Sequence, residues 1–331
     1  MSLPPVLQHL RLPAIGSPLF IVSTPELVIA QCKAGVVGSF PALNARPPEM
    51  LAEWLRRIIG ELGEHDARHP DRKSAPYAVN QIVHRSNVRL MHDVEVCTKF
   101  QVPLVITSLG AREEVYDATR SYGGISLHDV INNNFARKAI EKGADGLIAV
   151  AAGAGGHAGS ISPFALIQEI RGWFDGPVAL SGAIANGGAI LAAQAMGADL
   201  AYIGSAFIAT TEANAAEGYK NMIVDSSAAD ILYTNAITGV HGNYLRPSLE
   251  RAGLDPENMP VSDPSKMNFG SDKPKAWKDI WGSGQGIGAV KSVVPVAELV
   301  ARLTREYDAA RDRLGLAGQP AATMAASLAG Q

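Results

Sequence analysis

The stretch "KGADGLIAV" at residues 142–150 has a close counterpart in "MGADLAYIG" at residues 196–204, and "KAGVVGS" at residues 33–39 is a shorter version of both. In each case a stretch of helical character ends at or near a glycine, and an apolar run follows at once. Glycine tolerates the left-handed backbone at the C-terminus of a helix, and a short β-rich run after it is typical of a strand. The chain therefore repeats one unit in which a helix leads into a strand.

Short apolar runs of this kind occur eight times in the first two thirds of the chain. They are residues 13–17, 36–40, 78–82, 104–108, 124–128, 146–150, 178–181 and 200–204. Eight strands that alternate with helices are what a closed parallel (β/α)8 barrel, the TIM-barrel architecture, requires. A doubly wound open sheet also alternates strands with helices, but the number of units and the placement of the glycine clusters favour the α/β barrel.

Glycine-rich segments follow the last three predicted strands: "GAGGHAG" at 153–159, "SGAIANGG" at 181–188 and "GSAF" at 204–207. In a barrel all three lie on the rim at the C-terminal ends of the strands, where sites form. Backbone N–H groups on this rim can surround a phosphate without a lysine. The candidate phosphate-binding residues are Ser181, Gly182, Ala183, Gly204 and Ser205. The alternative is that small residues only allow close packing of helix on strand.

The segment after the sixth predicted strand contains one imidazole, His157, among small residues. Gly153 through Gly156 would let the backbone lie close beside a planar ring, because these residues carry almost no side-chain bulk. His157 would then be the first reactive side chain beyond that ring, and histidine is the most frequent general base near neutral pH. The alternative is a loop histidine that bonds to a backbone carbonyl.

The composition limits the classes of partner. The chain has 331 residues, 47% of them hydrophobic and 18% charged, which is typical of a soluble globular protein. A formal net charge of −3 gives no basic field for nucleic acid or an acidic membrane, so we expect small-molecule partners. Cys32 and Cys97 have no CxxC spacing, which favours a reducing cytoplasm over a disulfide framework. The sequence shows neither a secretory signal nor an apolar stretch suited to a membrane span.

The predicted barrel covers residues 1–210, and residues 211–314 read as a lid or small subdomain over its mouth together with a closing helix after Pro295. We expect residues 315–331 to form a mobile tail. Loops over a barrel mouth often carry specificity. The candidate substrate contacts are His241, Asn243 and Tyr244 in the lid, and His84 on the rim after the third strand.

Two other motifs resemble known binding signatures, but we do not expect either to form a site. His65 and His69 have the HxxxH spacing, but Pro70 predicts that any helix stops at His69 and nearby basic side chains oppose a cation, so we expect no metal site. The segment "GSGQGIG" at 282–288 lacks the last glycine of a GxGxxG fingerprint, because Ile287 stands there. We therefore expect no Rossmann dinucleotide site.

Over nearly its whole length the chain resembles the FMN-dependent nitronate monooxygenases, formerly called 2-nitropropane dioxygenases. The matching segments are Ser17-Pro18-Leu19, Ala78-Val79-Asn80, residues 153–159, Leu180-Ser181-Gly182-Ala183-Ile184, residues 203–207 and Ser283-Gly284-Gln285. The resemblance implies that FMN is the cofactor and that His157 takes the position of the family's catalytic histidine. It implies the following cofactor-binding residues: Ser17, Pro18, Leu19, Asn80, Ala154, Gly155, Gly156, Ser181, Gly182, Ala183, Gly204, Ser205 and Gln285.

The activity implied by the resemblance is the oxidation of alkyl nitronates, and of nitroalkanes deprotonated by His157, with O2 to a carbonyl compound and nitrite. Gly16 and Val150 stand where the family often has glutamine, and Gly153 and Ala158 replace a glutamate and an arginine, so the pocket is less polar. The chain also resembles FMN-dependent enoyl-acyl-carrier-protein reductases and NADH:quinone reductases. An NAD(P)H-dependent FMN reductase of quinones or enoyl thioesters, and a flavin-binding protein without turnover, are therefore alternatives; a homodimer is also left open.

Overall fold

Eight parallel strands form the main sheet in the computed structural model of the chain, which describes residues 3–259 and 280–316. A two-residue strand, β7 (Gly156–His157), interrupts the numbering of these eight. The eight strands are β1 (Ala14–Gly16), β2 (Gly38–Pro41), β3 (Tyr77–Ile82), β4 (Leu104–Ser108), β5 (Ile125–Val130), β6 (Gly146–Val150), β8 (Val178–Ser181) and β9 (Leu200–Ile203). Each coincides with one of the eight runs predicted from the sequence.

The sheet closes on itself. Its strand order is β1-β9-β8-β6-β5-β4-β3-β2, and the two end strands meet where Ile15 bridges to Val37. The Gly16 N–H donates to the Val37 carbonyl at 2.7 Å, and the Val37 N–H donates to the Ala14 carbonyl at 3.1 Å. The predicted (β/α)8 barrel is therefore confirmed, and the open doubly wound sheet is not what forms.

Helices surround the barrel and connect its strands. They are α1 (Pro25–Ala34), α2 (Met50–Arg68), α3 (Leu90–Lys99), α4 (Glu113–Arg120), α5 (Asn133–Glu141), α6 (Pro163–Arg171), α7 (Gly187–Ala195), α8 (Ser205–Ile208), α9 (Glu217–Asp225), α10 (Arg246–Arg251) and α11 (Val296–Arg313). Gly35, Gly143 and Gly197 follow α1, α5 and α7 with φ angles of 94°, 100° and 110°. These left-handed conformations explain the glycine in each of the three similar joints.

The barrel interior is apolar along most of its length. Its buried cluster includes Ile15, Ile106, Leu127 and Ile148, each from a different barrel strand. Val37, which immediately precedes β2, belongs to the same cluster. Alternate residues of the same strands face the helices instead, as Val79 and Val105 do in a second cluster with α2 and α3. Because both faces of every strand are buried, the strands read as nearly continuous apolar runs.

The closing helix α11 packs against α7 at very short range. Tyr307 and Leu303 of α11 place backbone atoms where a Cβ on Gly187 would lie. The Glu306 carboxylate accepts a hydrogen bond from the Gly187 N–H at 2.9 Å, and Asn186 caps α7 by accepting from Ala189 N–H at 2.8 Å. The predicted helix after Pro295 is thus present as α11, and it completes the helical layer beside β8 and β9.

A second sheet, which the sequence did not indicate, joins the later part of the chain to the barrel. It contains β10 (Ile231–Thr234), β11 (Gly242–Leu245) and β7 in the antiparallel order β10-β11-β7. Gly242 pairs with His157, and Asn243 pairs with Gly156. The loop after β6 is therefore held from above by the region predicted to be a lid. The division at residue 210 stays a prediction, and most of the predicted tail lies outside the described residues.

Candidate functional site

A cavity of about 1120 Å³ lies at the C-terminal ends of the barrel strands, beneath the small sheet. Ligand pockets commonly measure about 300–1,000 Å³, so this one has room for a cofactor and a small substrate together. It is lined by twelve of the thirteen predicted cofactor-binding residues and by His157. These twelve are Ser17, Pro18, Leu19, Asn80, Ala154, Gly155, Gly156, Ser181, Gly182, Ala183, Gly204 and Ser205.

The thirteenth predicted residue, Gln285, lies directly behind the wall. Its N–H donates to the Gly153 carbonyl at 2.9 Å. A Cβ placed on Gly153 would come within 3.1 Å of Gln285 Oε1, so the side chain lies against that loop. Gly153 has a φ of 85°, which favours glycine. Gly153 stands where the family has a glutamate, and its backbone conformation would be strained by any side chain.

The ends of β8 and β9 form a glycine cradle, which we define as Gly182, Ala183, Gly204 and Ser205. Gly182 has a φ of 145°, and a Cβ there would come within 2.8 Å of the Ala152 carbonyl oxygen. At Gly204 a Cβ would meet Leu19 Cδ2 at 3.3 Å. The backbone can therefore approach a ligand more closely here than a chain with larger side chains would allow.

One backbone N–H group of the glycine cradle, that of Ala183, already has a hydrogen-bond acceptor within the protein. The Ala183 N–H donates to the Gly153 carbonyl at 3.1 Å, so in this structure it does not point to a ligand as the sequence analysis expected. Ala183 also has a left-handed backbone, with a φ of 54°. The Ser205 hydroxyl likewise accepts from the Gly284 N–H at 2.9 Å. These bonds tie three loops together around the cradle.

His157 lies on β7 and its imidazole reaches the cavity wall. Its Nε2 is 3.0 Å from the hydroxyl oxygen of Thr238, in the turn between β10 and β11. The same hydroxyl oxygen lies 3.1 Å from the Val240 carbonyl oxygen. The contact with His157 ties the imidazole to the turn, and which of the two groups donates depends on the tautomer of His157.

Burial lowers the pKa of His157 from 6.5 to about 4. The direction follows from desolvation, because a charged imidazolium is less stable in an apolar wall than in water. His157 is therefore neutral at neutral pH and can accept a proton. Its conjugate acid is stronger than that of an exposed histidine, so any proton it accepts is readily passed on.

A row of polar side chains that the sequence analysis had only partly identified crosses the cavity floor. Asn80 Nδ2 donates to Ser108 Oγ at 2.7 Å, and Ser108 Oγ donates to Asp129 Oδ2 at 2.7 Å. These residues stand on β3, β4 and β5, and all three line the cavity. Burial raises the pKa of Asp129 from 3.8 to about 7, and the bond from Ser108 lowers it by less.

The predicted strand 124–128 ended one residue before Asp129, so this carboxyl group was not singled out. In the structure β5 continues to Val130, which places Asp129 at the C-terminal end of a barrel strand. An acidic residue immediately after an apolar barrel strand was the signal that could have found it. The neighbouring His128 bonds to Thr107 at 2.7 Å and to Tyr116 at 3.0 Å, and burial lowers its pKa to about 4.

The four predicted substrate contacts are not part of the cavity wall. His84 Nδ1 bonds to the Ser86 hydroxyl at 2.8 Å in the turn after β3. The His241 ring stacks on Tyr233, with ring centroids 5.1 Å apart. Both histidines are thus engaged by neighbours in their own segments. Their contact with substrate stays a prediction.

Asn243 and Tyr244 lie on β11, which pairs with the strand that carries His157. Asn243 is 2% exposed, and its Nδ2 donates to the Ala154 carbonyl at 2.7 Å. Tyr244 is fully buried in a cluster with Leu249 and Ile280. Asn243 pairs with Gly156 of β7, whereas Tyr244 pairs with Leu232 of β10. Direct substrate contact by either residue stays a prediction.

The HxxxH pair lies far from this chemistry. Helix α2 ends at Arg68, as Pro70 predicted, and the rings of His65 and His69 have centroids 4.7 Å apart. Within residues 3–259 and 280–316, no group of three or more histidine, cysteine or acidic side chains is placed to hold a metal ion. Over the same ranges, no helix is both long and apolar enough to cross a lipid bilayer.

Comparison with known proteins identifies the family to which this site belongs. The family model described as nitronate monooxygenase matches residues 62–306, which is most of the chain and includes β3 to β9 and most of α11. The chain belongs to the nitronate monooxygenase family. A nitronate monooxygenase from Paraburkholderia phytofirmans is 27% identical over 353 residues, covering 91% of this chain and 94% of the relative.

Solved structures agree with this membership. The nitroalkane oxidase of Streptomyces ansochromogenes matches with a TM-score of 0.78 at 25% identity, over 94% of this chain and all of that one. FabK from Thermotoga maritima matches with a TM-score of 0.73 at 23% identity, over 94% of this chain and 96% of that one, which shows a shared fold. As a member of the nitronate monooxygenase family the chain is an oxidoreductase.

Proposed function

We propose that this enzyme binds FMN and oxidises alkyl nitronates, and nitroalkanes after deprotonation, with O2 to a carbonyl compound and nitrite. The observation that supports this most directly is the meeting of His157 and the glycine cradle in one cavity of about 1120 Å³. The cradle suits the phosphate end of the cofactor, and the imidazole stands where a small substrate would enter. Membership of the nitronate monooxygenase family supports the same reaction class.

The residues present fit FMN. The cradle at Gly182 and Gly204 provides backbone that a side chain would fill, and the helix α8 begins there at Ser205. Phosphates commonly bind to backbone N–H groups at such glycine-rich turns before a helix. Most of the remaining wall is apolar, which suits the flat ring of a flavin, and Asn80 is among its polar lining residues. FMN, when bound, would supply the group that accepts electrons from the substrate.

We assign to His157 the removal of the α-proton from a neutral nitroalkane. In that step the α C–H bond breaks, the proton moves to the imidazole, the C–H electron pair forms the C=N bond of the nitronate, and the N=O π pair moves onto the nitro oxygen. The hydrogen bond between Nε2 and the Thr238 hydroxyl orients the ring for this transfer. A preformed nitronate has already lost the proton and needs only to be bound.

The alternative activity is that of an NAD(P)H-dependent FMN reductase acting on quinones or enoyl thioesters. The cavity volume of about 1120 Å³ is compatible with it, because ligand pockets commonly measure about 300–1,000 Å³. Val150, where many family members have glutamine, adds a further apolar side chain to the wall. We propose a cytoplasmic location, because Cys32 and Cys97 are both buried free thiols.

Anaerobic mixing of the purified protein separates these reactions. The flavin absorbance is followed after addition of NADH, NADPH or an alkyl nitronate, each alone. We expect the nitronate to bleach the flavin and the nicotinamides to leave it oxidised on the same timescale. Rapid bleaching by NADH or NADPH with no reaction of nitronate would replace the proposed function by the reductase, and a protein that purifies without flavin would contradict both.

A further inference from the structure

Asp129 is a cavity carboxyl group that the proposed mechanism does not use. It lines the cavity from the end of β5 and is partly exposed there. Its Oδ2 accepts from Ser108 at 2.7 Å, and the Asn80 amide in turn donates to Ser108. This chain fixes the direction of the hydroxyl proton, because Ser108 accepts from one neighbour and donates to the other. Oδ2 is thus occupied by Ser108, and the partly exposed carboxyl group as a whole lines the cavity.

None of the ion pairs within residues 3–259 and 280–316 involves Asp129. Several titratable or charged side chains lie on the cavity wall or on the elements around Asp129. They are His128 on β5, Tyr116 on α4, Lys138 on α5, Lys142 just after α5, Tyr202 on β9, His157 on β7 and Arg46 at the cavity mouth. Lys142 is directed to the Ala111 carbonyl at 2.9 Å, and Arg46 lies over Phe20.

We propose that Asp129 is a second proton-exchanging group of the cavity, and that its protonated form hydrogen-bonds the oxygens of an anionic nitronate whereas its ionised form repels them. An unpaired carboxylate beside a bound anion in a mostly apolar cavity is unfavourable, because little water or countercharge screens the repulsion. A carboxylic acid at the same place is a donor. The identity of the anion rests on the proposed function, but the titration of Asp129 does not.

The pKa values support the proposal that anion binding weakens as the pH rises. That of Asp129 is raised to about 7, so the acid form predominates below neutral pH and the carboxylate above it. His157, with a pKa of about 4, stays neutral across this range and does not add a second transition. If only the acid form accepts the anion, the apparent dissociation constant rises about tenfold per pH unit above the pKa.

The first test follows the carboxyl proton by infrared absorption of the purified protein as a function of pH. We expect a protonated-carboxyl band that is lost with a midpoint near 7 and that is absent from Asp129→Asn. Asp117→Asn, which removes an exposed carboxylate on α4, is the matched control and should keep the band. Loss of the whole band well below neutral pH in the parent protein would overturn the proposal.

Ser108→Ala provides a second variant that does not depend on the stability of Asp129→Asn. Removing the hydroxyl donor takes away a bond that favours the ionised form, so the midpoint should move to higher pH. A midpoint that stays in place or moves down would contradict the hydrogen-bonded geometry on which the proposal stands.

The second test measures binding of an alkyl nitronate to the flavin-loaded protein without oxygen, from the change in flavin absorbance. Binding to the parent protein should weaken above neutral pH, binding to Ser108→Ala should weaken only at higher pH, and binding to Asp129→Asn should be independent of pH. The same pH dependence in Asp129→Asn as in the parent would overturn the role in binding. If no variant binds nitronate while the infrared transition is present, the proposed function fails and the proton-exchanging role of Asp129 is retained.

Discussion

The pKa values of His157 and Asp129 are shifted in opposite directions from those usual for their side-chain types. The histidine, ordinarily half-charged near neutral pH, is held neutral with a pKa of about 4, whereas the aspartate is raised to about 7. Desolvation is the main cause in both, since it disfavours the charged form of each. The sequence identified His157 because a lone imidazole in a glycine run is conspicuous. It could not show the burial that sets either pKa.

Replacing His157 by asparagine tests its assignment as the base. Asparagine keeps a hydrogen-bonding side chain near Thr238 but cannot accept the α-proton. General-base assistance typically contributes about 10²- to 10⁴-fold, so nitroalkane turnover should fall by a factor in that range while turnover of preformed nitronate falls much less. FMN content serves as the control. Equal losses with the two substrates would assign His157 to binding rather than to proton removal.

Gly204→Asp tests the cradle as the phosphate site. Gly182 is less suitable, because its φ of 145° would strain any side chain whatever its charge. Gly204 has a φ of −110°, and a Cβ there meets only the flexible end of Leu19, at 3.3 Å, and Ser17 at 3.5 Å. We expect Gly204→Asp to purify with little or no FMN, because a carboxylate would repel the phosphate. Gly204→Ala is the matched control and should keep most of its flavin; equal retention in both variants would place the phosphate elsewhere.

At the scale of elements, local patterns predicted the barrel strands but not the small sheet. The eight barrel strands are apolar runs between helices, and their burial on two faces leaves a clear composition. Strand β7 has only two residues, Gly156 and His157, and no alternation of side chains can indicate it. It exists because β11 passes beside it, and the two are about eighty residues apart in the sequence. Tertiary pairing of this kind leaves no local signal.

Helix α7 provides a matched pair of glycines for testing the packing of α11. Gly187→Ala would bring a methyl group against backbone atoms of Tyr307 and Leu303, which cannot move aside as a side chain can. Overpacking of this type costs about 1–3 kcal/mol or more. A Cβ on the adjacent Gly188 meets only Asn186 Oδ1 at 3.4 Å, so Gly188→Ala should change the free energy of unfolding by less than about 1 kcal/mol. Chemical denaturation of the two variants compares them directly; equal stability would show that the helices do not pack this closely.

Across the whole molecule, the buried titratable groups predict how stability responds to acid. His128 and His157 have pKa values lowered from 6.5 to about 4, so the stability they provide is present above pH 6.5 and is lost as the pH falls toward 4. Asp129, raised from 3.8 to about 7, acts in the opposite sense, because its stabilising contribution is present at low pH and is lost as the pH rises through 7.

The free energy of unfolding of the parent protein should therefore decrease from pH 6.5 to 4, and more steeply in Asp129→Asn, which lacks the opposing contribution. His128→Asn should show a shallower decrease. Denaturant titrations at several pH values measure these slopes. A shallower slope in Asp129→Asn than in the parent would mean that the carboxyl group is already ionised in the folded protein at neutral pH.

The pairing of Gly242 with His157 and of Asn243 with Gly156 also constrains how this enzyme can diverge in evolution. Successive residues of a strand point to opposite faces, so a shift of the pairing by one residue would turn the imidazole away from the cavity. Insertions or deletions within β7 or β11 should therefore be eliminated by selection. The turn at residues 235–241 carries Thr238, which lies 3.0 Å from the imidazole, so its length is constrained as well. Substitutions at Ile237 and Val240, which line the cavity from the same turn, are the route by which related enzymes can acquire new substrates while keeping the histidine in place.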